Sequence, residues 1–596
     1  MGQFPSSPIE AEWVARQKAA CDELSAVNGE LWFIQSDPDL AGASRLMRCA
    51  PGGDPTAVTP EGIEVGSWLH AYGGGAYAVT DSGVWFVNAK DSCIHLLDPA
   101  TRENRRMASP DDDYVYGDLC ASSRGILAVR ESARAGDQIV EVTDDGSVRV
   151  LVSSPGFLAS PTARGDQLAY VSWDADEMPW DSSTLHLMPY RAPIQSAANV
   201  TVVGGLNESI AEPHWGPDGA LYFFSDRTGW WNLYRWTTDG EHPVLSIDQD
   251  CCPAPWEAGY SSYAFLPDGS IVVTLHDGFR VRLAKVADGR FTDIETPMTS
   301  VKPYLAVTDS QLAVIGSSES LAPAVRIIEL DTRDADTDVH HVDYYGSKGR
   351  ASEVEVATTG GGEGAVQFLL RQRPGAASGG APLLVRAHPG PTDNIPLRLD
   401  WTAEYFVSRG FAVADVAYRG SSGFGRSYRR SLYGHWGDYD VADCEAVARH
   451  LVATGIARPG AVFISGASAG GYTALQAARV PGVFTAATAT SAITDPDRWA
   501  STAPRFQQSY AAALAGPKAA VLAKDICLPV LIIHGTNDPV APADDARKLA
   551  VELGQLGKEH QAVFLDGGGH YLSDPRSRQA ALQAEADFYA GFIESS

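Results

Sequence analysis

The segment Gly466-Ala467-Ser468-Ala469-Gly470 has the form G-x-S-x-G and stands between an apolar, partly β-branched run, residues 462–464, and a helical pattern over residues 471–478. In a strand-turn-helix setting the turn is so tight that the residues around the serine must be small, and the serine hydroxyl is exposed at a helix N-terminus. A serine hydroxyl is a poor nucleophile unless a base takes its proton and a carboxylate orients that base. Both follow in the chain. His534-Gly535-Thr536-Asn537-Asp538 comes after the apolar run 530–533, and Asp566-Gly567-Gly568-Gly569-His570 comes after the run 562–565. The order Ser468, Asp538, His570 is the one an α/β-hydrolase connection requires. An aspartate after a strand can equally be a turn or cap residue, and a single histidine can be structural. His534 is the rival base, but it precedes the acid. Three strand-end placements in the required order favour the triad.

Acyl transfer by such a triad also needs two donors aimed at the developing oxyanion. The amide of Ala469, which follows the nucleophile, is one. The loop His388-Pro389-Gly390-Pro391, after the run 383–387, is placed to supply the other through the Gly390 amide.

These loops need a sheet to hold them. From about residue 345, around Tyr345-Gly346-Ser347-Lys348-Gly349-Arg350-Ala351, short apolar runs alternate with helical patterns over residues 440–454, 471–478, 543–553 and 576–593. Uncharged runs of this kind suit central parallel strands, so residues 348–596 are expected to form an α/β-hydrolase domain.

The preceding residues repeat. A turn of Asp, Asn, Gly or Ser followed by an apolar run recurs seven times, and aligned on Leu31, Trp85, Leu127, Leu168, Leu221, Ile271 and Leu312 the copies are 41 to 54 residues apart. That period suits one four-stranded propeller blade, and seven copies predict a seven-bladed β-propeller over residues 1–347. A β-sandwich is the competing architecture for evenly spaced short strands. Residues 6–25 are expected to be helical and to lie outside the ring, with Ser6 or Ser7 as N-cap.

Composition removes other classes. With 596 residues, 44% of them apolar and 20% charged, the chain is a multidomain globular protein. Its 46 Lys+Arg against 74 Asp+Glu give a net charge of -28, which repels nucleic acid and anionic membrane. The start carries no secretory pattern and no 18-residue apolar run occurs, so the expected location is cytoplasmic. Eight cysteines in no zinc-like spacing are expected to be reduced thiols, and no metal or other cofactor is predicted.

The whole resembles the prolyl oligopeptidase family of serine peptidases, in its bacterial acylaminoacyl-peptidase and dipeptidyl-aminopeptidase branch. The resemblance rests on Tyr418 to Gly425, Trp436-Gly437, Gly466 to Tyr472, His534 to Pro542 and Gly567 to His570. In the propeller it rests on Met178 to Asp181, Trp215 to Gly219 and Ser225 to Tyr234. It implies Ser468, Asp538 and His570 as the triad and a propeller that admits only short peptides or unfolded ends. Two departures stand out. His388-Pro389-Gly390-Pro391 replaces the usual His-Gly-Gly-Pro, and Gln507 stands where similar sequences carry a glutamate that helps hold a substrate amine.

The expected function is a serine exopeptidase or oligopeptidase acting on short peptides. A small-molecule amidase or esterase acting on aminoacyl amides is the alternative, and a non-catalytic propeller scaffold is a third. Glu177 and Glu208 are weighed as anchors for a substrate amine against a surface role, and Tyr472 as a wall of the S1 pocket. The oligomeric state, a homo-oligomer included, is left open.

Overall fold

A computed structural model describes residues 5–16, 20–37, 40, 42–109, 114–190, 201–309, 311–330, 337–340, 349–360, 364–375, 380–516 and 520–593. The seven aligned residues are all buried, on the second strand of a four-stranded antiparallel blade in the first six copies and on the third strand in chain order of a five-stranded sheet in the seventh. The turn that recurs before each apolar run joins the aligned strand to the strand preceding it as a hairpin. In the first copy, Asn28 and Gly29 both take positive φ, 53° and 77°, so that Val27 pairs with Glu30 across a two-residue loop. This is the turn geometry that follows the natural strand twist.

The blades span residues 21–57, 77–108, 114–154, 157–205, 210–243, 263–294 and 300–340. Among the described residues no strand is shared between the first blade and the last. The seam closes through side chains instead: Cys21, Leu24 and Phe33 pack on Tyr304, Ala313 and Val325, and Lys302 pairs with Asp22. All eight cysteines are free thiols.

The C-terminal domain holds an eight-stranded sheet. Its strands are β1 (Glu353–Thr358), β2 (Gln367–Gln372), β3 (Ala381–Ala387), β4 (Ala412–Ala417), β5 (Ala457–Ala467), β6 (Ala486–Thr490), β7 (Val530–Gly535) and β8 (His560–Leu565), in the spatial order β1-β2-β4-β3-β5-β6-β7-β8. All pairs from β4 to β8 are parallel, and β1 and β2 run antiparallel at the edge. The central strands are buried on both faces, which explains their unbroken apolar runs.

The N-terminal segment corrects the expectation of a helix over residues 6–25. The helix covers only Ala11–Arg16, and Cys21–Val27 is the first strand of the first blade. Cys21 and Leu24 are apolar at positions that face the seventh blade, and the Asn28-Gly29 turn commits the segment to a hairpin. The short helix joins the hydrolase domain. Trp13 meets Trp401 edge to face at 4.4 Å, and Ile9, Trp13 and Val14 share a core with Phe406, Leu582 and Phe588. The boundary expected between residues 347 and 348 lies outside the described residues. From Ala351 onward the chain is already tied to the hydrolase, because the Ala351 and Ser352 amides donate to the Glu404 carboxylate.

The domains meet through buried charge. Asp226 of the propeller accepts from Arg426 at 2.6 Å and from Arg429 at 2.7 Å, and the Arg429 guanidinium lies 3.9 Å over the Trp231 ring. Arg505 reaches Asp137 at 2.7 Å.

Several propeller carboxyls are lifted by burial: Glu23 to about 8, Glu212 to about 7, and Asp118 and Asp250 to about 6. Each holds a proton in the folded state that it would release from the unfolded chain, so its contribution is complete below the unfolded value and is lost as pH rises through the folded one. Thermal melts should therefore rise when pH falls from about 8.5 to about 6. A flat or inverted profile over that window would remove this account of the propeller's buried acids.

Candidate active site

β5 ends at Ala467, and the next helix, Ala469–Ala477, starts two residues later. Ser468 between them has φ 52° and ψ -117°, a strained backbone held by its surroundings. The small flanking residues have steric causes. A Cβ at Gly466 would lie 2.1 Å from the Gly470 carbonyl oxygen, and one at Gly470 would lie 2.3 Å from that of Ala387.

His570 Nε2 stands 3.0 Å from Ser468 Oγ, and His570 Nδ1 stands 2.8 Å from Asp538 Oδ2. The second carboxylate oxygen accepts from the Val540 and Ala541 amides, each at 2.9 Å. His534 donates from Nε2 to the Ala541 carbonyl at 2.7 Å and lies 3.4 Å from Asp538 Oδ2. It braces the acid loop and does not approach the serine. Burial opposes ionisation of Asp538, but hydrogen bonds from His534 and His570 outweigh it and hold the carboxyl well below the usual carboxylate range. The serine, imidazole and carboxylate thus form one relay in the geometry of general-base activation.

Of the two expected oxyanion donors, the Ala469 amide is already engaged and the Gly390 amide is turned away from it. The Ala469 amide donates to the Pro389 carbonyl at 3.1 Å. No peptide bond is cis, so in the unit joining Pro389 to Gly390 the Gly390 N–H points opposite to that carbonyl, away from Ala469. The loop around it is tightly held. The His388 ring stacks on Tyr418 at 3.9 Å, with its Nε2 2.8 Å from Ser421 Oγ, and burial lowers its pKa to about 3. The Tyr418 hydroxyl donates toward the His388 and Gly390 carbonyls at 3.0 and 3.2 Å.

Aromatic side chains line the space between the domains. Tyr72, Trp180 and Trp256 of the propeller meet Phe506 and Tyr510 of the hydrolase, with Tyr72 and Trp256 at 5.0 Å and Trp180 and Tyr510 at 5.2 Å. Glu257 borders this space, exposed to it yet ringed by protein. Burial pushes its carboxyl up to about 7, with Asp22 and Asp393 adding to the effect and Lys302 opposing it. Tyr571, next to the triad histidine, feels the Glu257 charge.

The amine anchors weighed from sequence lie elsewhere. Glu208 is paired with Arg227 at 2.8 Å and accepts from Ser225 at 2.6 Å, and the charged neighbours of Glu177 are Asp181, Asp176 and Arg430. Gln507 donates to the Tyr72 hydroxyl. Tyr472 is wholly buried against Trp436 at 4.3 Å, so it supports the elbow from behind. Trp256 and Glu257 were missed because Pro255-Trp256-Glu257 sits in an irregular connection between blades, where neither strand period nor motif marks it.

Fold and site together define an α/β-hydrolase with a serine-centred relay beneath a seven-bladed propeller. Residues 397–596 match the prolyl oligopeptidase family, and the chain carries a domain of that serine peptidase family. It is 28% identical over 217 residues to an acylamino-acid-releasing enzyme of Arabidopsis thaliana, a stretch covering 33% of this chain and 28% of that protein. Over 244 residues it is 26% identical to dipeptidyl aminopeptidase BIII of Pseudoxanthomonas mexicana, covering 36% of this chain and 34% of the relative. These matches therefore span about a third or less of the relatives' own length. A solved puromycin-hydrolyzing peptidase of Mycobacterium tuberculosis aligns over nearly the full length of both proteins, 99% of this chain and 97% of the other, with 27% identity and a TM-score of 0.92. Among the described residues no helix is long and apolar enough to cross a membrane.

Proposed function

We propose that this protein is a serine aminopeptidase-like hydrolase that releases an N-terminal residue or aminoacyl group from short peptides and aminoacyl amides. The observation that carries the reading is the Ser468–His570–Asp538 relay, closed at 3.0 and 2.8 Å. His570 takes the Ser468 proton as Oγ attacks the scissile carbonyl, and Asp538 holds the imidazolium. His570 then protonates the leaving amine. Water, activated by the same imidazole, releases the acyl group from the serine.

The free-amine preference is supported by Glu257, a carboxylate beside the site whose nearest cation, Lys302, is paired with Asp22. Its hydrogen-bond partner is the neutral Tyr304 hydroxyl at 3.5 Å, so a substrate ammonium would supply the counter-charge that this carboxylate, ringed by protein, lacks. The small-molecule reading draws support from the full-length likeness to a puromycin-hydrolyzing peptidase. Both readings use one site and differ only in the leaving amine.

Initial rates on aminoacyl, N-acetyl-aminoacyl and dipeptidyl anilides test this. The aminoacyl anilide should be hydrolysed fastest. Glu257→Gln should raise KM for it about tenfold or more, with little change for the acetylated substrate. Because burial lifts Glu257 to about 7, KM for the free amine should also climb as pH falls below that value in the wild type, and this limb should vanish in the variant. Equal loss on both substrates would remove Glu257 as anchor. Hydrolysis of a simple ester with all three anilides untouched would remove the peptidase reading.

A further inference from the structure

The bond between the Ala469 amide and the Pro389 carbonyl puts an acceptor where the proposed mechanism needs an acceptor of its own, the substrate oxyanion. One N–H cannot serve both with good geometry. On the reading of the preceding subsection, we infer that the peptide unit joining Pro389 and Gly390 is a two-position element of the oxyanion hole, closed in this structure, and that Trp256 of the propeller is the residue that positions it.

The unit carries both groups that matter. Its carbonyl belongs to Pro389 and its N–H to Gly390, and in a trans peptide they point in opposite directions. Turning it over about the line between the two Cα atoms withdraws the oxygen from Ala469 and brings the Gly390 N–H to the same side. One rotation therefore exchanges an acceptor for the second donor. The motion changes chiefly ψ of residue 389 and φ of residue 390. The proline ring fixes φ at 389 and leaves both of its ψ wells open. Gly390 does not have positive φ in this structure, and the turn takes it there, a region closed to most residues and free to glycine. The sequence Pro-Gly is thus suited to two settings, where Gly-Gly would allow many.

What flanks the unit is pinned. On one side His388 is stacked on Tyr418 and bonded to Ser421. On the other, Thr392 has its carbonyl held by Trp256 Nε1 at 2.5 Å and its hydroxyl held by Tyr510 at 2.5 Å, and the Asp393 carbonyl accepts from the Ser422 amide at 3.0 Å. The Tyr418 hydroxyl engages the carbonyls of His388 and Gly390, which lie just outside the turning unit. Of these fixtures Trp256 alone comes from the propeller. Docking of the propeller therefore reaches the oxyanion loop through the Trp256 indole N–H, and the blades take part in setting the hole.

The test compares crystals of the free protein with crystals grown with phenylalanine-derived boronic acid, which adds Ser468 Oγ to its boron as the serine proton passes to His570. In the free protein the Pro389 oxygen should bond the Ala469 amide. In the adduct it should have turned away, with the Gly390 and Ala469 amides both donating to one boronate oxygen. The same peptide orientation in both crystals overturns the inference. Absence of any Ser468 adduct overturns the parent reading instead, and the inference falls with it. In solution, Trp256→Phe keeps the ring and removes the donor. We expect kcat to drop about tenfold with KM and melting temperature nearly unchanged. A change confined to KM or to stability would make Trp256 a packing residue and overturn its positioning role.

Discussion

Ser468→Ala should lower kcat on an aminoacyl anilide by about 10⁴ to 10⁶, leave KM within a fewfold of its starting value, and leave the melting temperature unchanged. The hydroxyl contributes no packing that alanine lacks, because the elbow's backbone is held by the Thr490 carbonyl, which accepts the Ser468 amide at 2.9 Å, and by the close glycines on either side. His570→Ala costs about as much, and the double variant costs little more than either, since the relay acts as a unit. Rates from stopped and continuous assays on freshly purified variants decide it. A serine variant that keeps a tenth of the activity would place the nucleophile elsewhere.

The second large effect is on stability. Asp226 is shared by Arg426 and Arg429, and it also accepts from the Ser209 amide at 2.7 Å. Arg429 is wholly buried over the Trp231 ring. Removing the carboxylate leaves a buried guanidinium without the counter-charge it touches, with Asp250 and Asp181 remaining near it, a loss of about 3 to 5 kcal/mol. Asp226→Ala should therefore shift the denaturant midpoint strongly and open the interface to limited proteolysis. Asp226→Asn should fall between, because it keeps the acceptor for Ser209 and loses the charge. A shift below about 1 kcal/mol in the alanine variant would mean that the pair is balanced by its own desolvation.

The residues proposed to do the chemistry were the most legible in the sequence. Ser468, Asp538 and His570 each follow a short apolar run, and a central parallel strand leaves that signature because both of its faces are covered. The blades were legible for a related reason: a strand that is buried in every blade must be apolar in every copy, so Leu31 and its six counterparts stand in register. Other parts leave no periodic trace. Trp256 and Glu257 act from an irregular connection, and what fixes them is the opposing domain. Asp226 and Arg429 lie in recognisable stretches, but the sequence does not say that they meet, since 203 residues separate them. The helix at Ala11–Arg16 was read, yet its extent was overestimated because Cys21–Val27 has few of the β-branched residues that announce a strand and is paired through its turn. The state of the oxyanion loop was beyond sequence altogether, as both orientations of one peptide unit suit the same residues.

The helix at the start of the chain and the long helix Pro575–Ile593 at its end share one core. In topological terms the ring is a guest: the chain enters it at Cys21 from a helix packed on the hydrolase and rejoins the same host after His340. The host thereby acts as a buckle for a belt whose own clasp, among the described residues, is made of side chains. Because both ends of the ring are moored to one body, the first and seventh blades meet at a high effective concentration, and their seam needs only modest attraction to stay shut. The arrangement also sets an order for synthesis. The ring can assemble as it emerges, whereas the host core is completed only when the last helix arrives.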